Sequence, residues 1–464
     1  MKARAVATAA AASDSYYQAH HKIYPREIDG RFARLRVLAA WVLLGLFYLL
    51  PWLDLHDRQA VLFDLAERKF YIFTLVMWPQ DFIFLTWLLV LAALSLFFFT
   101  ALAGRLWCAY ACPQTVWTEA FLWLERLTEG TRQARIKLDA AAWGPRKLVR
   151  KGSKQLLWIG FAAWTGFTFV GFFTPIRALA MDTRSFALSP WELFWILFYG
   201  FATYGNAGYL REQVCKYMCP YARFQSAMFD QDTMIITYDA ARGEPRGSRQ
   251  RKAPRGSGAL GDCIDCSWCV QVCPTGIDIR QGLQIECIAC AACIDACDSV
   301  MDRIGYPRGL VRYTTQHALD HGTTHVVRPR ILVYGTILGI LAVGFAVALA
   351  LRTPLGLDVI RDRNSLFHIL DDGRIENVYT LKILNKSELA RNFDVSVSGP
   401  GLLTLDPARP IVSVAPGEVY PVVVRVQRDA YQPLGSETIQ FHIAARDDRR
   451  IAATHPARLL APSR

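Results

Sequence analysis

Residues 263–297 read CIDCSWCVQVCPTGIDIRQGLQIECIACAACIDAC. The spacing Cys263-x2-Cys266-x2-Cys269-x3-Cys273-Pro274 returns as Cys287-x2-Cys290-x2-Cys293-x3-Cys297, an internal repeat in which DCIDCSWCVQVC is echoed by ECIACAACIDAC. Three thiolates two residues apart let a tight loop wrap three corners of a cubane. The fourth, after a longer gap and a turn, reaches across to the other cluster. The expectation is one [4Fe–4S] cluster on Cys263, Cys266, Cys269 and Cys297, and a second on Cys287, Cys290, Cys293 and Cys273. Zinc asks for four ligands as two separated pairs, so this repeat fits iron–sulfur better. Cys297 is followed by Asp298 where the first copy has Pro274, a departure expected to alter the local turn. Ala289, Ala291 and Ala292 are small enough for close backbone approach to the second cluster. The fold implied is a ferredoxin-like α+β domain, residues 242–330, entered through the Gly/Pro/Arg linker RGEPRGSRQRKAPRGSG at 242–258.

Working outward, all twelve cysteines lie between Cys108 and Cys297 in tight groups, as metal ligands in a reducing compartment do. Two groups repeat a second motif: Cys108-Ala-Tyr-Ala-Cys112-Pro113 and Cys215-Lys-Tyr-Met-Cys219-Pro220, preceded by Arg105 and Arg211. Cysteines at i and i+4 share one face of a helix, and the proline ends or redirects that helix. Buried cysteine is often mere packing, but two identical pairs at equivalent positions favour function. Soft thiolates suit Cu(I), zinc or iron–sulfur. A four-cysteine site forms if the two helix ends meet. Met218 reads as packing.

Five runs are apolar enough to suggest membrane spans: 37–53, 82–103, 156–176, 191–210 and 331–351. Residues 70–78 and 116–127 are shorter and expected at an interface. No cleavable signal peptide is evident. The first 36 residues hold seven Lys or Arg, and 104–155 hold ten against four acids, whereas 54–81 hold three against five. The positive-inside rule then puts the N-terminus and every cysteine on the cytoplasmic side, and the tail after residue 351 outside. The domains expected are therefore a cytoplasmic N-terminal segment (1–36), a membrane domain with four spans (37–241), the cluster domain (242–330), a fifth span (331–351) and a periplasmic tail (352–464). The net charge of +12 belongs with span flanks and does not imply nucleic-acid binding.

None of the nine histidines lies in an expected span, so intramembrane haem is not supported. His317, His321 and His325 recur every four residues and offer metal ligands, though Gly322 weakens a helix there and a solvated patch is the commoner outcome. No nucleotide or flavin motif is present, so electrons come from quinol or a partner protein. In the tail, 378–384, 394–397, 419–427 and 438–444 are short β-rich runs, several of them alternating apolar with polar, which suggests a small immunoglobulin-like β-sandwich acting as a docking module.

The stretches KIYPREIDGRFARLR (22–36), RLWCAYACPQTVW (105–117), CKYMCP (215–220) and CPTGIDIRQGLQIECIACAACIDACD (273–298), with the β-rich tail, resemble the cytochrome c oxidase accessory protein CcoG family, also called FixG or RdxA. That resemblance implies a bacterial inner-membrane protein that reduces Cu(II) to Cu(I) during assembly of cbb3-type oxidases. It implies partners among copper transporters, copper chaperones and oxidase assembly proteins. It also implies that Cys108, Cys112, Cys215 and Cys219 are copper- or redox-active, with copper as substrate or transient ligand. Two other readings compete: a quinol-linked relay to a partner, and a non-catalytic assembly scaffold.

Overall fold

The computed structural model describes residues 22–55, 58–248, 260–363, 365–387, 389–408, 410–428 and 436–462. Much of the N-terminal segment, most of the 242–258 linker, and His20, His21 and His56 lie outside them. The chain forms two compact units, Met1–Trp52 with Ala92–Leu338, and Leu53–Leu91 with Gly339–Arg464.

The first unit is helical. Its helix Arg31–Leu49 starts against the cysteine repeat: the Asp295 carboxylate accepts the backbone N–H of Phe32 (3.3 Å) and of Ala33 (2.7 Å). A carboxylate at a helix N-terminus satisfies donors that no helical carbonyl reaches. The approach is close enough that a Cβ on Gly30 would lie 2.2 Å from Asp295 Cγ. Gly30→Ala should therefore push Asp295 off the helix start and cost about 1–3 kcal/mol, read as a lower melting temperature in detergent.

Among the described residues, three helices are long and apolar enough to cross a membrane: Arg31–Trp52, Pro79–Ala103 and Pro329–Ala350. The other two expected spans are helical but shorter or broken. The stretch from 156 is the apolar end of Pro145–Val170, whose first turns carry Arg146, Lys147, Arg150, Lys151 and Lys154. The stretch from 191 is a 14-residue α-helix, Pro190–Thr203, that loosens into a 7-residue π-turn at Tyr204–Leu210. These two helices meet through Gly166 and Gly200, where a Cβ on Gly166 would lie 2.2 Å from the Ile196 carbonyl. Small residues allow such backbone contact. The 116–127 stretch lies in helix Pro113–Glu129, which packs inside the unit, with Phe121, Glu125 and Glu129 fully buried. The cluster segment is α+β: strand Ile235–Tyr238 pairs antiparallel with Val311–Thr314, and helices Trp268–Gln271 and Ala292–Ile304 lie between them in sequence.

The second unit is a β-sandwich with an attached small sheet. One sandwich sheet orders Leu403–Asp406, Val419–Arg428, Ile375–Asn385 and Leu355–Arg361, with His368–Ile369 on the side. The other orders Ile411–Val414, Arg391–Ser398, Glu437–Ala445 and Ala452–Leu459. Inward-facing Tyr379, Leu381, Phe393, Val424, Val426, Phe441 and Ile443 fill the core, as alternation within each strand requires. The expected β-runs all fall in these strands. Residues 70–78 are mostly strand. Lys69–Ile72 and Leu75–Met77 are strands of a three-stranded sheet with Val61–Asp64. Val76 and Trp78 pack on Leu384, and Asp81 binds Lys386 Nζ at 2.9 Å and Arg352 Nη2 at 2.5 Å.

Candidate metal centres

Each cysteine loop of the repeat holds its backbone in the same way. Asp265 and Ser267 in the first copy, Ala289 and Ala291 in the second, flank the middle cysteine with left-handed φ values of 53°, 55°, 56° and 59°. Left-handed residues cost L-amino acids about 1–2 kcal/mol, and four of them at matching positions turn successive N–H groups inward. Such nests cradle anions and iron–sulfur groups. Cys269 and Cys293 lie in the helices that leave these loops, and Cys297 follows Cys293 by one turn.

Each fourth cysteine lies near thiols of the other loop. Cys273 lies within electrostatic reach of Cys287, Cys290 and Cys293, and Cys297 within reach of Cys266 and Cys269. A narrow cleft is lined by Cys269, Cys273, Cys287, Cys290 and Cys293. Four thiolates around one zinc would lie about 3.8 Å apart, given Zn–S bonds of about 2.3 Å. Among the described residues no cysteine trio is close enough to hold a single ion. Quartets this open, lined by backbone nests, fit cubane clusters. Burial pushes the Cys269, Cys287 and Cys297 thiols up to about 12, so a bound metal group must displace their protons. Asp298 does not make a turn. It sits inside helix Ala292–Ile304, where proline would break the helix, and accepts the N–H of Gly309 at 2.9 Å.

The two Cys-x3-Cys-Pro motifs come within electrostatic reach of each other, although, among the described residues, no three of their thiols are close enough to hold a single ion as they stand. Cys112, Cys215 and Cys219 all act on Cys108, and Cys112 and Cys219 act on Cys215. Burial, then these neighbours, raises Cys108 to about 12 and Cys215 to about 11, while Arg105 pulls both the other way. The expected shared helix face is absent. Helix Leu106–Tyr110 ends before Cys112, which adopts extended backbone and caps Pro113–Glu129. Cys215 lies in a π-turn, Val214–Met218, and Cys219 caps Pro220–Ala227. Each proline starts a helix, where its missing N–H costs nothing. Met218 is exposed.

Two glutamines tie the motifs crosswise. Gln114 Nε2 donates to the carbonyls of Asn206 (2.9 Å) and Arg211 (3.0 Å), just before the second motif. Gln225, fully buried, accepts from Cys108 Sγ at 3.4 Å. Sequence reading missed both, because they stand at different distances from their Cys-Pro pairs and so show no repeat. Arg105, almost fully buried, donates to the carbonyls of Ile285, Cys287 and Ala222, which clamps the second cysteine loop to helix Pro220–Ala227. Cys108 and Cys215 consequently pack on the same small core as Cys293, a core built from Ala109, Val272, Ile288, Cys290, Ala292 and Ala296.

Arg211 is held by a buried ion network. Its Nη2 meets Glu125 Oε2 at 2.5 Å, and Lys22 and Arg135 each stand 3.8 Å from Glu125. Burial alone would raise the Glu125 carboxyl, but Arg211, Lys22 and Arg135 outweigh it and hold it below the usual glutamate range. Its stabilisation is thus complete above the ordinary glutamate value and is lost as pH falls through the lower folded value. Glu125→Gln should cost about 3–5 kcal/mol, because it strands buried Arg211 and Arg135. A thermal unfolding loss below about 1 kcal/mol would instead mean that water reaches the network.

Three family descriptions match the chain: the 4Fe-4S dicluster domain over residues 210–316, the 4Fe-4S binding domain over 84–129, and the IG-like fold at the C-terminal of FixG over 345–462. Nitrogen fixation protein FixG of Rhizobium meliloti (strain 1021) is 39% identical over 456 residues, covering 88% of this chain and 87% of that one. Proteins RdxB and RdxA of Cereibacter sphaeroides are 41% and 40% identical, over 85% and 83% of this chain and 85% and 84% of theirs. A FixG-related protein from Vibrio parahaemolyticus, known as a crystal structure, is 28% identical, with a TM-score of 0.22, over 24% of this chain and 98% of that one.

Proposed function

This chain belongs to the FixG family of iron–sulfur proteins, and from that premise we propose that it is a membrane oxidoreductase that reduces Cu(II) to Cu(I) for the copper centre of a cbb3-type cytochrome c oxidase. Two [4Fe–4S] clusters, on Cys263/Cys266/Cys269/Cys297 and on Cys273/Cys287/Cys290/Cys293, would supply single electrons. Copper is the substrate: one electron converts Cu(II) to Cu(I), and Cys108, Cys112, Cys215 and Cys219 offer the soft thiolates that favour the reduced ion. Gln225 and Arg105 orient this quartet, and the Arg211–Glu125 pair fixes the backbone that leads into its second half.

The observation that carries the reading is the small core shared by Cys108 and Cys215 with Cys290 and Cys293. It sets the copper-type thiols beside the second cluster loop. On sidedness, the three long helices alone keep the charge-derived topology. Pro145–Val170 and Pro190–Thr203 come as a pair, so whether or not they cross the bilayer they return the chain to the same face. The N-terminus and cysteines then face the cytoplasm of a bacterial inner membrane, and the sandwich faces the periplasm. Copper transporters or chaperones, oxidase assembly proteins and an electron donor are the partners this role requires.

The test is anaerobic. Purified protein in detergent is reduced and given Cu(II) with a Cu(I)-specific chromogenic chelator. Cu(I) should form in step with oxidation of the cluster absorbance. Clusters that oxidise without Cu(I) would transfer the role to an electron relay, and clusters that stay reduced beside Cu(II) would leave a scaffold.

A further inference from the structure

A second group of ligand-type side chains lies apart from every cysteine. Helix Gln316–His321 is capped by Thr315, whose hydroxyl accepts the N–H of Ala318, and it stops at Gly322 with φ +74°. The left-handed glycine reverses the chain and folds His325 back on the helix. The His317 ring then lies 4.8 Å from both the His321 and His325 rings, centroid to centroid. The facing turn at Asp230–Thr233 supplies a carboxylate. That turn is tied to the helix by His317 N–H donating to the Gln231 carbonyl (2.9 Å), and to the following segment by Arg328 donating to the Asp232 carbonyl (2.9 Å).

We propose that His317, His325 and Asp232 form a binding site for a divalent transition-metal ion, with His321 as a further imidazole at its edge. One ligand atom from each of the three lies within 4.8 Å of the others. Tetrahedral nitrogen and oxygen ligands at bonds of about 2.0–2.1 Å are about 3.4 Å apart, so a modest contraction closes the site. Asp232 Oδ1 is shielded from solvent and accepts no hydrogen bond. It faces His325 Nδ1 at 3.8 Å, too long for a hydrogen bond and suited to an ion held between them. A solvated surface patch would leave that oxygen either wet or hydrogen-bonded. The nearby cations do not forbid a dication, because Arg328 and Arg330 are both paired with Asp230. His325 is exposed, which leaves a route of entry. Imidazole with carboxylate selects zinc, copper(II), nickel or iron(II) over calcium or magnesium. The donor set is harder than the thiolates of the cysteine-proline motifs, so the two sites should differ in what they hold.

Zn(II) is the probe, because it takes no electron from the clusters. Full-length protein without a polyhistidine tag is titrated with Zn(II) against a competing chelator, and the bound ion is examined by X-ray absorption. The expected result is one zinc with a nitrogen and oxygen shell. Affinity should fall at least about tenfold in the His317→Ala/His325→Ala double variant and in Asp232→Asn, but remain in Cys215→Ser/Cys219→Ser. A sulfur shell near about 2.3 Å, or equal affinity in the histidine variant, would overturn the proposal. Neither result bears on copper reduction, which is measured separately.

Discussion

Replacing Cys215 and Cys219 together with serine should lower Cu(I) formation by at least about tenfold while the cluster absorbance stays at its wild-type level. Chemistry and fold separate cleanly at these positions. Serine keeps the size of cysteine but replaces a soft sulfur ligand with a hard oxygen, which suits Cu(I) poorly. The fold has reason to survive. Cys219 caps helix Pro220–Ala227 from extended backbone, and serine is a preferred residue there. Cys215 is only half-buried in its π-turn. Neither belongs to the quartets assigned to the clusters, so iron content serves as an internal control. Unchanged Cu(I) formation in the double variant would remove these thiols from the copper site. Loss of cluster absorbance would show that the second cluster loop depends on this packing, and Cys112→Ser would then be the cleaner variant, because Cys112 caps a different helix, Pro113–Glu129.

The cluster loops were legible because their information is local. Ligand spacing, small residues at 289, 291 and 292, and the doubled motif all lie within 35 positions of chain, and the loops take the shape that spacing demands. The sandwich was legible for a similar reason, since alternation along strands such as Ile375–Asn385 is written residue by residue. What sequence did not show depends on partners far along the chain. FYIFTLVMW (70–78) showed only as an apolar run too short to span, whereas Phe70–Ile72 and Leu75–Met77 pair as strands and Val76 and Trp78 lean on Leu384, about three hundred positions away. The cysteine-proline pairs looked like one helix face because i and i+4 were read as continuous. The proline instead opens a new helix, and the cysteine before it turns out of the old one. The crosswise glutamines and the Arg105 clamp carry no periodic signal. The basic turns of Pro145–Val170 and the π-turn after Thr203 explain why two apolar runs fall short of a full uninterrupted span. The three histidines meet because Gly322 stops their helix, the same residue that weakened the helical reading.

Cys273→Ser should remove half of the iron, and the half removed should be the one that Cys287→Ser removes. Cys273 sits ten residues from Cys263 and fourteen from Cys287, so distance along the chain favours a cluster shared with Cys263. The spacing of the repeat points the other way, and Cys273 lies within electrostatic reach of Cys287, Cys290 and Cys293 and lines their cleft. Residues that serve one unit are not additive. The double variant Cys273→Ser/Cys287→Ser should therefore lose no more iron than either single change, while Cys273→Ser/Cys297→Ser should lose both clusters. Iron and sulfide content, together with the electron paramagnetic resonance of the reduced protein, read this directly. If Cys273→Ser instead matched Cys263→Ser and compounded with Cys287→Ser, the crossed assignment would fail, and each half of the repeat would have to hold its own cluster. The result matters for the electron path as well. With crossed ligands, helix Ala292–Ile304 carries one thiol for each cluster, Cys293 and Cys297, one turn apart. A rigid helix then fixes the spacing between the two redox groups, and a flexible loop does not.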